Sequence, residues 1–444
     1  MSRYFTLVEV ANILGVSKAI VGGWEKSGKL TPVLLNGAKL YSERQLRSFD
    51  TYRQLKETKW DKEAKVRAVR PFRSIELFAG AGGLALGLEN VGFEVALLNE
   101  LDSHAGATLK KNRPYWNVAV GDVAEIDFTR YKNKIDLLSG GFPCQAFSYA
   151  GNKLGFGDIR GTLFFELMRA VEEVQPRVFL GENVRGLLNH DKGRTLETIK
   201  RKIEDIGYTL IAPQVLKAIY YKVPQKRERL FLVGIRNDLA TDINFHWPAP
   251  YKRVLALKDV LKKGDIFATD VPVSVGQIYP ARKKEILSRV PPGGYWRDLP
   301  DNLQREYMKK SYFLGGGKTG MARRLSWDEP SLTLTCAPAQ KQTERCHPEE
   351  TRPLTVREYA RIQTFPDSWI FTGPISSQYK QIGNAVPVNL AIAVGRSLIT
   401  LLNEIEKRIP VENTEEIPEW NMNPERVAFV GEKRRKYQLA SSTE

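Results

Sequence analysis

The stretch Ser74-Ile75-Glu76-Leu77-Phe78-Ala79-Gly80-Ala81-Gly82-Gly83-Leu84 runs an apolar segment, Ser74 to Phe78, into a glycine cluster. Beyond the cluster, Leu84 to Val91 has helical spacing. A strand that turns through glycines into a helix is the usual opening of an α/β sheet. The glycines let backbone approach a ligand, and the helix N-terminus favours an anionic group on it. Gly80, Gly82 and Ala85 satisfy the G-x-G-x-x-A form used for dinucleotides, and Glu100 stands 20 residues beyond Gly80. An acid at that spacing, at the end of a second apolar run, can grip ribose hydroxyls. Asp122 follows a third run and can accept a hydrogen bond from an adenine amino group. These residues indicate an adenosine-containing cofactor. They do not separate a nicotinamide dinucleotide from S-adenosylmethionine.

Working outward, short apolar runs alternate with helical patterns. The strands expected are Ser74–Phe78, Glu94–Asn99, Asn117–Val120, Ile135–Ser139 and Arg177–Gly181, with helices over Leu84–Val91 and Ala105–Asn112 between the first three. That alternation predicts a parallel sheet with helices on both faces. From about 250 to 345 the sequence is irregular, with Pro291-Pro292-Gly293-Gly294 and Gly315-Gly316-Gly317. Helical pattern returns near Val356 and over Val388 to about Arg408, and 409–444 is a polar tail containing Lys433-Arg434-Arg435-Lys436. The expected layout is therefore 1–55, a linker 56–72, a catalytic and cofactor-binding domain 73–250, a smaller domain 251–350, a return to the catalytic domain 351–408, and the tail.

Composition bounds the function. The 444 residues hold 67 Lys+Arg against 51 Asp+Glu, a net charge of +16, which points first to nucleic acid. Hydrophobic residues at 42% are normal for a globular chain. No apolar run approaches the roughly 18 residues of a membrane span. The segment MSRYFTLVEV lacks a basic region followed by an apolar one, so a cytoplasmic protein without membrane partners is expected. Cys144, Cys336 and Cys346 cannot build a disulfide framework. Cys336, Cys346 and His347 lack the spacing of a zinc site, and no metal is expected.

In the first 55 residues, Thr6 to Val16 is an apolar-periodic helix that turns at Gly15. Ser17 is an N-cap for a second helix through Trp24, and Asn36-Gly37 separates two strand-like triplets. This unit resembles the winged helix-turn-helix of the MerR type. Gly22-Gly23 departs from that pattern by removing side chains that would read bases.

A second constellation follows the strand at Ile135–Ser139. Gly140-Gly141-Phe142-Pro143-Cys144-Gln145-Ala146-Phe147-Ser148 places a cysteine at the carboxyl edge of the sheet, where ligands bind. Glu182-Asn183-Val184 brings a carboxyl group to the same edge, and Gln225 to Arg229 brings cationic donors. From Glu76 to about Arg396 the chain resembles the bacterial DNA (cytosine-5-)-methyltransferases. The motifs that carry the resemblance are FAGAGGL (Phe78–Leu84), GGFPCQAFS (Gly140–Ser148), RGTLFFE (Arg160–Glu166), ENV (Glu182–Val184) and QKRERLFLVG (Gln225–Gly234). RPLTVREYARIQTFPDSW (Arg352–Trp369) and QIGNAVPVNLA (Gln381–Ala391) complete them, in the family's order and spacing.

The resemblance implies the methyltransferase form of the Rossmann-like sheet, a target-recognition domain in 251–350, and S-adenosylmethionine as cofactor, with S-adenosylhomocysteine as product. It implies catalytic roles for Cys144 as nucleophile, Glu182 at ring nitrogen 3 and Arg227 beside the base. Phe78, Gly80, Gly82, Glu100, Leu101, Asp122, Val123, Pro143, Leu163 and Asn384 would line the cofactor pocket. Leu101 stands where several relatives carry an aromatic residue. Gln145, Ser148, Arg229, Arg323, Arg324, Thr333 and Leu334 would contact double-stranded DNA, and Gln145–Arg160 resembles the family's catalytic loop. A cognate restriction endonuclease would be the functional partner, and residues 1–55 could also bind the chain's own promoter. One eukaryotic branch of the family acts on transfer RNA. The sizeable region between the catalytic and C-terminal motifs argues for DNA instead.

Overall fold

A computed structural model describes residues 3–142 and 163–410. The chain opens with strand β1 (Tyr4–Thr6), helices α1 (Leu7–Ile13) and α2 (Lys18–Lys26), and strands β2 (Val33–Leu35) and β3 (Ala38–Ser42). Thr6 starts α1 with a capping box: its hydroxyl accepts from the Glu9 N–H while the Glu9 carboxylate accepts from the Thr6 N–H. Ser17 caps α2 by accepting from the Ile20 N–H, and the two helices are bent by 109°. The strands form an antiparallel sheet in the order β1-β3-β2. Asn36 and Gly37 both have positive φ, as a tight two-residue hairpin turn demands. Phe5, Val10, Leu14, Val21, Leu30, Tyr41 and Tyr52 form this unit's own core.

The main sheet begins with β4 (Phe72–Leu77), β5 (Phe93–Glu100), β6 (Val118–Val120), β7 (Leu137–Gly141) and β8 (Val178–Val184). It continues with β9 (Tyr208–Leu210), β10 (Gln214–Lys217) and β12 (Glu228–Arg236), while β11 (Gln225–Lys226) pairs with β13 (Ser331–Leu332) from the later domain. The strand order is β10-β12-β8-β7-β4-β5-β6, with β9 also on β12. β4 to β8 are parallel, whereas β12 lies antiparallel to β8, β9 and β10. The sheet is therefore mixed, which corrects the expectation of a parallel one. β8 reaches β12 through α6 (Arg194–Asp205) and the edge hairpin strands, so the chain returns from the opposite end. An apolar strand reads the same in either direction, and periodicity cannot report this reversal. β8 also runs three residues further than expected, so Glu182 and Asn183 sit on the strand and not after it.

Helices cover both faces. On one, α5 (Leu163–Val174) and α6 bury Phe164, Leu167, Met168, Val171, Ile199 and Ile203 against Ile75, Leu77, Leu138 and Phe179. On the other, α3 (Gly83–Glu89) and the final helix α9 (Val388–Arg408) bury Leu84, Leu88, Leu390, Val394 and Leu398 against Phe72, Leu137, Val178 and Phe231. α9 follows α7 (Val356–Ile362) and α8 (Ile375–Asn384), so the catalytic core is completed by the far end of the described chain. Its approach is close: a Cβ on Gly87 would collide with the Ala391 methyl group. The irregular segment builds a smaller core of Tyr279, Ile286, Leu287, Trp296, Tyr307, Met308 and Cys346.

Candidate active site

The glycine turn after β4 is held in an unusual backbone path. Phe78, Gly80 and Gly82 all have positive φ (59°, 56° and 81°). At Gly82 any side chain is doubly disfavoured, because a Cβ would lie 2.7 Å from Leu109. At Gly80 a Cβ would meet nothing within 4 Å among the described residues, so the backbone there is not packed against them. Glu100, at the end of β5, accepts from the Gly80 N–H at 2.7 Å and from the Asp102 N–H at 2.8 Å. Its carboxylate thus fixes the turn's shape, and its unshared lone pairs stay available for hydroxyl donors. Asp122 follows β6 and caps a short turn beginning at the buried Val123. Leu101 is 70% exposed beside Glu100. Leu163 opens α5, and Asn384 ends α8, exposed, with its Oδ1 accepting from the Cys336 thiol at 3.3 Å.

The second half of the site lies along β8 and β12. The Glu182 carboxylate pairs with the Arg229 Nε at 2.6 Å, both side chains largely buried. Asn183 donates to the Phe142 carbonyl at 2.7 Å, anchoring the end of β7 where Pro143 follows in the chain. Arg227 is 1% exposed and donates to the carbonyls of Gly383 (3.0 Å), Asn384 (3.3 Å) and Leu334 (3.4 Å), while its Nε has no hydrogen-bond partner among the described residues. Burial, with Arg229 beside it, lowers this guanidinium to about 9. Arg227 therefore binds the C-terminal motif to the sheet edge, and Arg229 is the arginine that orients Glu182. Pro143, Cys144, Gln145, Ser148 and the rest of the segment to Thr162 lie outside the described residues.

Among the residues expected to meet DNA, Arg323 and Arg324 point to different fates. Arg324 is 4% exposed and its terminal nitrogens donate to Leu287, His347, Glu349 and Glu350 carbonyls and to Thr351. In this structure Arg324 is a structural cross-brace. Leu334 is buried, and the Thr333 hydroxyl donates to the Lys226 carbonyl at 2.6 Å. Arg323 lines a cleft, and its Nε has no partner among the described residues.

Sequence reading missed two groups. Gln225 donates to Gln363 Oε1 at 2.8 Å and accepts from the Leu334 N–H at 3.0 Å, and Gln363 donates to the Ile382 and Ala385 carbonyls. This buried amide pair joins three distant motifs, a role that only its double occurrence inside those motifs could have hinted at. Glu76 is buried on β4, and Glu100 and Glu182 act on it electrostatically from either side. Burial first, and then those two carboxylates, raises its carboxyl well above the ordinary range.

The glycine turn, with the acid of β5 beside it, and the carboxylate–arginine pair of β8 and β12, one strand beyond β7, lie on one Rossmann-like sheet, the arrangement of a nucleotide-cofactor enzyme. The family model for C-5 cytosine-specific DNA methylase matches residues 72–400, and the chain belongs to that family. It is 65% identical to type II methyltransferase M.Eco47II of Escherichia coli over 410 residues, 92% of this chain and 98% of that one. It is 57% identical to type II methyltransferase M.PspPI of Psychrobacter sp. (strain TA137), over 92% and 98% of the two chains. A crystal structure of a Spodoptera frugiperda DNMT2 mutant shares the fold, with a TM-score of 0.52 at 16% identity, covering 74% of this chain and 99% of that one. The chain is a DNA (cytosine-5-)-methyltransferase that uses S-adenosylmethionine.

Proposed function

We propose that the enzyme methylates carbon 5 of a flipped-out cytosine within a short duplex sequence, as the modification half of a type II restriction–modification pair. The Glu182–Arg229 pair at the strand edge shared with the glycine turn is the observation that carries this reading. S-adenosylmethionine supplies a methyl group on a sulfonium that an electron-rich carbon can take. Phe78, Gly80, Gly82, Glu100, Leu101, Asp122, Val123, Pro143, Leu163 and Asn384 would hold it. The unpacked backbone at Gly80 and the acidic edge at Glu100 suit a cofactor of net positive charge.

The chain's own residues act on the base. The Cys144 thiolate bonds to carbon 6, and electron density moves to carbon 5. Glu182 holds ring nitrogen 3 and supplies a proton there, so the negative charge that develops in the ring is neutralised. Arg229 orients that carboxylate, and Arg227 keeps the C-terminal motif against it. Once carbon 5 carries the methyl group, a base or water removes its proton, and the electrons expel the thiolate. The target carbon is inaccessible in a stacked duplex, so the base must leave the helix.

Bisulfite sequencing of plasmid DNA from expressing cells, beside a Cys144→Ala control, tests this reading. Protected cytosines in one short context, lost in the control, are expected. Protection that persists in Cys144→Ala would overturn the covalent route. The helix pair and hairpin of the first 55 residues favour a second role, repression of the chain's own promoter through a winged helix-turn-helix. Deleting residues 1–55 should then abolish operator binding.

A further inference from the structure

Helix α2 of the N-terminal unit does not face away from the catalytic core. A cleft of about 1210 Å³ is lined by Gly15 to Ile20 on one side and by Val184 and Lys226–Arg229 from the strand ends. Pro291–Tyr295, Arg323 and Thr333 of the later domain complete its wall. The N-terminal unit is seated firmly there. Lys217 donates to the Gly15 carbonyl at 3.3 Å and Tyr220 to the Ile13 carbonyl at 3.3 Å. A Cβ on Gly15 would lie 2.5 Å from the Tyr220 hydroxyl. Across the cleft, Lys18 pairs with Glu329 at 2.7 Å.

The charges in this cleft favour a polyanion. Glu329 is 8% exposed, and Lys18, Lys226 and Arg323 all act on it electrostatically. Asp298 also acts on Arg323, and Glu228 meets Arg185 and Lys217, so the cleft's lining holds seven Lys and Arg against three Asp and Glu. Arg323 has no ion pair, and its Nε no hydrogen bond, among the described residues. The N-terminal unit itself carries eight Lys and Arg against four Asp and Glu over residues 1–55. On the exposed side of α2, a Cβ at Gly22 or Gly23 would meet nothing within 4 Å among the described residues. The protein's own packing thus leaves two helix-weakening glycines unexplained, and a backbone approaching from outside would explain them.

We propose that the N-terminal unit is a third wall of the substrate cleft, with Ser17, Lys18, Ala19 and Ile20 contacting the duplex that is being methylated. This rests on the DNA-methyltransferase reading and extends it, because the unit then serves every turnover and not only a promoter. Lys18 exchanges Glu329 for a phosphate when the duplex enters. Ala19 and the 45%-exposed Ile20 lie against the sugar–phosphate backbone.

The test is steady-state methyl transfer from labelled S-adenosylmethionine to unmethylated plasmid DNA, using the full chain and its Ala19→Glu and Ile20→Glu variants. Both positions are exposed, so the variants should fold, and the KM for S-adenosylmethionine checks this. The KM for DNA should rise tenfold or more, with the KM for S-adenosylmethionine and kcat within twofold of wild type. Lys110→Glu, exposed on helix α4 (Ser103–Asn112) and absent from the cleft lining, should leave all three unchanged. A DNA KM within twofold of wild type in both cleft variants would overturn the proposal. Wild type that methylates no DNA would instead overturn the reading beneath it.

Discussion

Arg227 and Arg229 are two residues apart and do different work. Arg229 meets a carboxylate, while Arg227 is spent on three main-chain carbonyls. Removing the Arg229 guanidinium leaves the largely buried Glu182 carboxylate without its orienting partner. Arg229→Ala should therefore lower the single-turnover rate by about 10²–10³, the range for one lost preorganising donor. Arg229→Lys should restore only part of this, because an ammonium lacks the planar fork. A rate within threefold of wild type for Arg229→Ala would show that Glu182 orients itself. Glu76 allows a prediction in pH. A carboxyl group raised by folding favours the native state while protonated, and that contribution is lost as pH climbs past its folded value. Wild type should thus lose stability on this account above the ordinary carboxylate value of 4.5. Glu76→Gln should melt higher than wild type at pH 8, with the gap closing toward pH 5. Parallel melting curves would contradict it. Residue types and motif positions were legible in the sequence. Which member of an adjacent pair turns inward was not, as Arg323 and Arg324 show, because that depends on the local backbone path.

At the scale of elements, the strand–glycine–helix unit from Phe72 to Glu89 could be read directly, since period-two and helical spacing flank the glycines. The direction of β12 could not be read. The packing of α3 against α9 was only partly visible, in the helical spacing of Ala391, Val394 and Leu398. What lets α9 close on the sheet is the absence of a side chain at Gly87. Gly87→Val should overpack that contact and cost about 1–3 kcal/mol. A urea titration followed by circular dichroism checks this, and an unchanged midpoint would mean that α9 can shift outward without penalty. The Arg70–Asp136 and Arg70–Glu406 pairs, at 2.7 and 3.0 Å, clamp the same helix to the opposite end of the sheet. Outward movement is therefore resisted at both ends of α9.

Over the whole molecule, a net charge of +16 reads as affinity for nucleic acid, but total charge does not locate it. Many arginines are already committed: Arg282 to Glu285 and Glu306, Arg352 to Glu350 and Glu358, and Arg361 to Asp367. The cleft keeps a smaller set: Arg323, without an ion pair among the described residues, and Lys18 and Lys226, which share Glu329. If these three cations reach phosphates, log KM for DNA should rise against log salt with a slope of about 3, near 0.9 per contact. Replacing Arg323 by Ala should reduce that slope by about 1 while weakening binding to every DNA sequence similarly, if it meets phosphate. If Arg323 instead reads a guanine, the slope will hold and discrimination at one base pair will fall. Methylation assays between 50 and 200 mM salt on cognate and singly altered sites separate the two outcomes. A slope near 10 would mean that the polar tail beyond residue 409, with its Lys433–Lys436 run, engages DNA as well. The cleft alone has too few uncommitted cations to account for that value.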